Sequence, residues 1–301
     1  MKFTMKKSLL VITLLALFAG FSTIHAQTKK PVETSALLYE ISGNGLKKPS
    51  YLFGTFHIIC SNDMIQAEKL TDYIDKTEQL FLEVDLDDPA ELQSAGKMPF
   101  LADGKTLSDF YTKEQYAKVG ELVQNSLGAP IENFKNFKPF FVQVIAVTSP
   151  KFLGCSQASS YDLSFLQYAQ TKQKPIEGLE TVAIQTATID SIPLKKQADD
   201  LYKAALEPEK SSAEFKKMLE IYKTQNSDKL FEFMQTQMKD DTAFQTNLLD
   251  KRNTSWIPKI EKAVKEKPSF IAVGAGHLGG KTGVLNLLRA KGYKVRAIKL
   301  T

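Results

Sequence analysis

Tyr51-Leu52-Phe53-Gly54-Thr55-Phe56-His57 decides the reading of the fold, because it has a counterpart near the other end of the chain, Phe270-Ile271-Ala272-Val273-Gly274-Ala275-Gly276-His277. Each is an apolar, strand-forming run, then a glycine, then a histidine three residues later. A glycine at a strand end permits a tight turn and close backbone approach. In open α/β sheets, ligands bind beyond the carboxyl ends of the strands. If both runs end on one sheet edge, two imidazoles converge there, with Gly54, Thr55, Gly274 and Gly276 shaping the space around them.

Working outward, residues 37–41 and 51–54 read as a hairpin across Ser42-Gly43-Asn44-Gly45. Asn62-Asp63 is a candidate cap for a helix carrying Leu70, Tyr73, Ile74 and Thr77 at helical spacing. Residues 80–86 form a further strand. The middle is mostly helical: 113–126, 138–147, 162–171, 182–206, 211–224, 227–237 and 240–264, with a short strand at 175–178. Lys and Glu runs on these helices read as solvated faces. Strand, helix and strand return at 270–273, 282–290 and 293–298. The expected fold is α/β, a central mixed sheet built from both ends of the chain with a largely helical insertion at about 100–235. A separate helical domain over that span is the alternative.

Composition excludes other classes. The chain has 301 residues, 43% hydrophobic and 24% charged, with a net charge of +5. It is neither disordered nor collagen-like, and its basicity is too mild to imply a nucleic-acid surface. Residues 1–26 read as a signal peptide. Lys2, Lys6 and Lys7 precede an apolar run over 8–21, and Ala26 offers a cleavage point. Removing three lysines takes the charge to +2 and leaves 275 residues, residues 27–301 forming the α/β domain. No stretch of that mature chain is long and apolar enough to span a bilayer. The expected location is periplasmic or secreted. His25 leaves with the signal, so His57 and His277 are the mature chain's whole supply of imidazole.

Imidazole is a common transition-metal ligand and a carboxylate its usual companion. Glu83 interrupts the apolar run Gln79-Leu80-Phe81-Leu82-Glu83-Val84-Asp85, where a lone buried charge would be costly. Strand alternation assigns Asp85 to the same face. His57, Glu83 and His277 are therefore the candidate metal ligands. Arg252 shares a helical face with Leu248 and Trp256, and a guanidinium there needs an anionic partner, Glu83 or a substrate oxygen developing charge. Pro258 is expected to break that helix near Thr254. Cys60 and Cys155 either pair or remain two buried thiols.

Gly274-Ala275-Gly276-His277-Leu278-Gly279 also spells a dinucleotide fingerprint. Lys294 and Arg296 stand where its acidic ribose partner belongs, so a nucleotide site is set aside. Cys60, three residues after His57, sits among apolar neighbours that suit a structural sulfur better than a nucleophile.

The ordered set of motifs resembles the TraB/GumN family, related to the Tiki proteases and distantly to erythromycin-esterase-like and haem-binding ChaN-like proteins. It runs from Leu38-Tyr39-Glu40-Ile41 through Leu52-Phe53-Gly54-Thr55-Phe56-His57 and Glu83. It continues with Gly178-Leu179-Glu180-Thr181, Gln185, Arg252-Asn253 and Gly274-Ala275-Gly276-His277. The resemblance implies an α/β fold with both histidine motifs and a glutamate at one site. It also implies divalent-metal-dependent proteolysis of the Tiki kind, with manganese or cobalt; zinc suits the ligands chemically. The chain departs from the family pattern at Ser159-Ser160-Tyr161-Asp162, where a glycine and a small apolar residue usually precede the aspartate, so Asp162 receives no role here.

The leading expectation is an exported metal-dependent hydrolase acting on peptide bonds. His57, Glu83 and His277 hold the ion, Glu180 serves as general base or further ligand, and Arg252 stabilises an oxyanion. The rivals are a non-enzymatic haem or small-ligand binder and a metal-free hydrolase with a histidine base. The substrate, the metal and the oligomeric state stay open.

Overall fold

The structure, a computed structural model, describes residues 35–239 and 242–301. The expected signal and its cleavage point at Ala26 lie outside the described residues. The described residues form one compact unit.

The chain opens with the expected hairpin, β1 (Leu38–Ser42) and β2 (Ser50–Thr55), followed by the short β3 (Ile59–Cys60). Helix α1 (Ala67–Asp75) leads to β4 (Gln79–Val84), and then come α2 (Pro89–Lys97), α3 (Lys113–Leu127), α4 (Pro139–Val147) and α5 (Pro150–Leu153). After β5 (Ala158–Ser159), α6 (Tyr161–Thr171) and β6 (Ile176–Glu180), the chain is helical through α7 (Val182–Asp190), α8 (Leu194–Leu206), α9 (Pro208–Lys223) and α10 (Ser227–Met238). The short α11 (Thr242–Gln245) enters a π-helical turn, Thr246–Asp250, which leads into α12 (Lys251–Glu266). The chain closes with β7 (Ser269–Gly274), α13 (Val284–Ala290) and β8 (Lys294–Ile298).

The sheet has six strands in the order β6-β4-β7-β2-β1-β8. β6, β4, β7 and β2 run parallel, while β1 pairs antiparallel with both β2 and β8. The expected mixed sheet built from both chain ends is present. β3 and β5 form a separate two-stranded ribbon.

Alternation along the strands explains how both faces are covered. Phe53, Leu80, Leu82, Phe270 and Ala272 join one core with Tyr161, Phe165, Leu219 and Tyr222 from α6 and α9. The intervening Leu52, Phe81, Ile271 and Val273 join the opposite core with Trp256, Ile257 and Ile260 of α12 and Leu288 of α13. Every residue of β2, β4 and β7 is buried, as befits parallel strands covered on two sides. A third core, with Val119, Leu122, Val142 and Leu201, holds α3, α4 and α8 together.

Several local expectations are corrected. Residues 61–63 form a separate 3-10 turn and do not cap a helix, and α1 starts behind Gln66, with Thr77 past its end. Ser61 N bonds to Gln157 O and Asp63 pairs with Lys223, which hold that turn away from α1. The single helix expected over 182–206 is two, because Pro193 lacks the amide to continue the first. Pro258 does not break α12. Thr254, whose carbonyl loses its partner, and Pro258 itself are both exposed, so solvent can satisfy the freed oxygen. Helix α2 was not anticipated. It buries none of its residues, so it carries no hydrophobic stripe, and its signal is the cap Asp88 followed by Pro89.

Candidate active site

The four parallel strands end on one edge, and each delivers part of the site. In β2 and β7 the register pairs Gly54 with Val273 and Thr55 with Gly274, so both Gly-x-x-His turns start level with each other. A Cβ on Gly54 would lie 2.6 Å from Leu278 Cδ1 and 3.0 Å from Ala275 Cα, so glycine there lets the second turn pack on the first. Glu83 stands one residue before the end of β4, whose Val84 pairs with Glu180 at the end of β6.

His57 opens into the cleft, its side chain 58% exposed. Its Nδ1–H donates to Asp162 Oδ2 at 2.9 Å, and Thr55 Oγ1 donates to Asp162 Oδ1 at 3.3 Å. Asp162 lies in the first turn of α6, where the helix dipole favours a carboxylate. Desolvation works against a charged His57, but the Asp162 carboxylate, by charge and hydrogen bond, and the Glu83 carboxylate together outweigh it and push the imidazole up to about 9.

His277 is buried, in the 3-10 turn Ala275–His277 that follows β7. Its Nδ1–H donates to Asn253 Oδ1 at 2.6 Å, and the Asn253 amide is oriented by its own bond to Thr282 O. The lone pair of His277 Nε2 therefore faces the site. Burial holds this imidazole down at about 3, so it is neutral. Its ring packs on Trp256, centroids 4.5 Å apart.

Glu83 joins the two histidines. Its Oε1 lies 3.7 Å from Nε2 of His57 and 3.7 Å from Nε2 of His277, and it accepts the Gly274 N–H at 2.7 Å. Its Oε2 accepts from Arg252 Nη2 at 2.6 Å and from Gln185 Nε2 at 3.1 Å. Burial opposes its charge, yet the Arg252 and His57 cations and the Gly274 amide hold its carboxyl well below the usual range. Gly274 is required sterically: a Cβ there would lie 2.9 Å from His57 Nε2 and 3.2 Å from Glu83 Oε1.

Arg252 and Glu180 form the buried foundation. Arg252 Nε and Nη2 bind Glu180, Nη2 also binds Glu83, and Nη1 donates to Leu248 O and His277 Nε2. All five guanidinium N–H groups are engaged. Glu180, its side chain 1% exposed, also accepts from Trp256 Nε1 at 2.9 Å.

The structure thus brings together His57, Glu83, Glu180, Arg252, His277, Thr55 and Gly274. Gly54 supports the turn from behind, and Gly276 faces Met234. Asp85 is not among them. It lies past the end of β4, and its carboxylate accepts the Asp87 amide, because the chain turns before alternation can bring it back to Glu83. Cys60 is bonded to Cys155, with Cα atoms 6.0 Å apart, and is no nucleophile. Asp162, Asn253, Gln185 and Trp256 are site residues to which sequence reading assigned no role. Asn253 was visible only as the neighbour of Arg252, and Asp162 stood at the one departure from the family pattern. Among the described residues no cluster of three or more His, Cys, Asp or Glu side chains is drawn together as a metal cage.

Two cavities meet at this edge. One of about 550 Å³ is lined by His57, Glu83, Asp162, Ser159, Ser160 and Gln185, with apolar residues between them. The other, about 390 Å³, lies on the side of Arg252 and His277. His57 and Ile58 wall both.

Comparison with known proteins gives a family and three distant relatives. A family model described as the TraB/PrgY/gumN family matches residues 37–297. A protein named metalloprotease TIKI2 from Danio rerio is 21% identical over 352 aligned positions, covering 95% of this chain and 67% of that protein. Metalloprotease TIKI2 of Xenopus tropicalis is 22% identical, with 82% and 57% covered, and metalloprotease TIKI1 of Danio rerio is 20% identical, with 82% and 60% covered. The chain spans about three fifths to two thirds of the length of these relatives. No solved structure matches it.

Proposed function

The chain belongs to the TraB/PrgY/gumN family, and on that premise we propose that it is an exported, divalent-metal-dependent hydrolase of peptide bonds. The observation that carries the reading is the approach of His57 Nε2 and His277 Nε2 to the same oxygen of Glu83, each at 3.7 Å. The names of the similar metalloproteases support the reaction class. Among the described residues no helix is long and apolar enough to cross a membrane.

The donor set suits a metal ion by its chemistry. Two borderline imidazole nitrogens and one hard carboxylate oxygen together make a donor set that divalent transition metals accept. Each imidazole has its Nδ1 held by an oxygen, Asp162 or Asn253, the arrangement that orients histidine ligands elsewhere. Two carboxylates, Glu83 and Glu180, share the single Arg252 guanidinium, leaving a buried negative charge in excess. His57, Glu83 and His277 would hold the ion, whose contribution is to polarise a carbonyl and acidify a water.

The chain's own residues divide the remaining work. Asp162 orients His57, and Asn253 orients His277. Glu180 acts as a positioning residue, since its carboxylate is committed to Arg252 and Trp256. Arg252 steadies Glu83, and its Nη1–H toward His277 is the donor that would turn to a substrate oxyanion if that nitrogen bound elsewhere.

One observation favours a second reading. His57 and Asp162 alone make an oriented imidazole at an open cleft, the geometry of a general base that needs no metal and that, held up to about 9, would act in alkaline solution. Metal analysis of the purified chain beside His57→Ala and His277→Ala separates the readings. About one ion per chain in wild type, lost in both variants, is the expected result. Equal metal content in all three, with peptide hydrolysis surviving exhaustive chelation, favours the histidine base.

A further inference from the structure

We propose that the 390 Å³ cavity beside Arg252 and His277 is the specificity pocket of this site, and that it takes a large apolar side chain, leucine, methionine or phenylalanine, flanking the scissile bond of a peptide. The proposal rests on the peptidase reading above. A cavity of this volume lies at the small end of ligand pockets, suited to one side chain rather than a whole ligand.

The walls come from Phe56, Val144, Val147, Met218, Met234 and Leu248. The polar groups at its edge are spent on the protein. Thr55 donates to Asp162 and Thr148 donates to Val144 O. All five N–H groups of Arg252 and both ring nitrogens of His277 are engaged. An ammonium entering here would lose its hydration with no partner in return, and a carboxylate would find one only at the rim, in His57. The 550 Å³ cavity on the far side of His57 differs, since Ser159, Ser160 and Gln185 line it. A chain crossing His57 therefore meets an apolar recess on one side and a mixed surface on the other.

Two further features fit this role. Met218 and Met234 bring unbranched, adaptable thioethers that can mould to differently shaped apolar side chains. Gly276 makes room for one of them, because a Cβ at that position would lie 2.5 Å from Met234 Cε and 2.8 Å from its Sδ. That assigns Gly276 to the pocket, and Gly274 to the space between His57 and Glu83.

The test uses the full mature chain with ¹³C-methyl methionine, assigned by Met218→Leu and Met234→Leu. N-acetyl-leucinamide and N-acetyl-phenylalaninamide should shift the Met218 and Met234 methyl signals, with the lysine and glutamate amides weaker by roughly tenfold or more. Val147→Phe, which fills the recess from α4, should abolish the shifts while keeping the wild-type circular dichroism spectrum. In metal-supplemented assays, peptides with leucine or phenylalanine at one flank should be cleaved in preference to lysine or glutamate peptides, and Val147→Phe should move the preference to alanine. Equal methyl shifts from charged and apolar amides, or shifts that survive Val147→Phe, overturn the pocket assignment whatever the catalysis. Selective methyl shifts without hydrolysis of any peptide uphold the pocket's apolar selectivity and overturn its place in a peptidase.

Discussion

The hydrogen bond from His57 Nδ1 to Asp162 Oδ2, 2.9 Å long, ties the turn after β2 to the first turn of α6 and points His57 Nε2 toward Glu83 Oε1, 3.7 Å away. One carboxylate thereby sets the tautomer, the orientation and the charge of the histidine that walls both cavities. Two outcomes should follow from its removal.

In Asp162→Asn the His57 imidazole should fall from about 9 to below its ordinary 6.5, because its largest favourable partner has lost its charge while desolvation and Arg252 still oppose protonation. The sign of the stability effect follows from that upward shift. In the metal-free wild type, the His57–Asp162 pair contributes fully below pH 6.5, and the contribution fades as pH rises toward 9. Asp162→Asn should flatten that window. Histidine NMR titration and melting curves across pH 6–9.5 check both, and an unchanged His57 titration in the variant would sink the argument. Since a ligating imidazole must be deprotonated, metal uptake at pH 7.5 should also release about one proton.

Arg252 should be the costliest single residue to remove. It is buried, and it stands between Glu83 and Glu180, so Arg252→Met leaves two carboxylates facing each other without a cation. Breaking a buried pair by deleting one partner costs about 3–5 kcal/mol. Lysine should not rescue the site, because one ammonium cannot replace the fork that reaches Glu180, Glu83, Leu248 O and His277 at once. Urea denaturation of Arg252→Met and Arg252→Lys measures both claims. A loss below about 1 kcal/mol in the methionine variant would mean that the network is not a structural foundation.

How far this arrangement could be read beforehand depended on the period of the signal. Strands such as Leu80–Leu82 and Phe270–Val273 are continuous apolar runs, and the two Gly-x-x-His turns mark the ends of such runs, so the sheet and its two site histidines were legible. Glu83 was legible for the same reason, a charge inside a run that has no room for one. Asp162 and Asn253 were not. Each acts through a contact of |i−j| = 105 and 24 residues respectively, and neither sits in a local pattern that demands a partner. Asp85 shows the opposite failure: alternation holds only while the strand lasts, and β4 ends at Val84.

The Cys60–Cys155 bond should support the same edge from outside. It joins β3, three residues after His57, to the segment leading into β5 and Asp162, and its sulfurs are 95 residues apart in sequence. Closing so long a loop is worth about 2–4 kcal/mol. Cys60→Ser/Cys155→Ser, or wild type in reductant, should melt lower by an amount consistent with that range. The amides of residues 57–60 and 158–162 should exchange faster than those of β7. Uniform exchange with an unchanged melting point would show that the β3–β5 ribbon holds without its crosslink.

Gly274→Ala isolates the space between the histidines from the stability of the sheet. The backbone at Gly274 has φ −51° and ψ 133°, which alanine adopts without strain, so the fold should persist. The new methyl carbon would lie 2.9 Å from His57 Nε2 and 3.2 Å from Glu83 Oε1, inside normal contact distance of both. Metal affinity and peptide hydrolysis should therefore fall together, by about tenfold or more, while the circular dichroism spectrum stays that of wild type. Gly276→Ala is the matched control, because its methyl meets Met234 instead. That variant should bind metal as wild type does and lose preference among peptides. If Gly274→Ala binds metal normally, the ion is not held between His57 and Glu83, and the ligand set proposed for this edge fails with it.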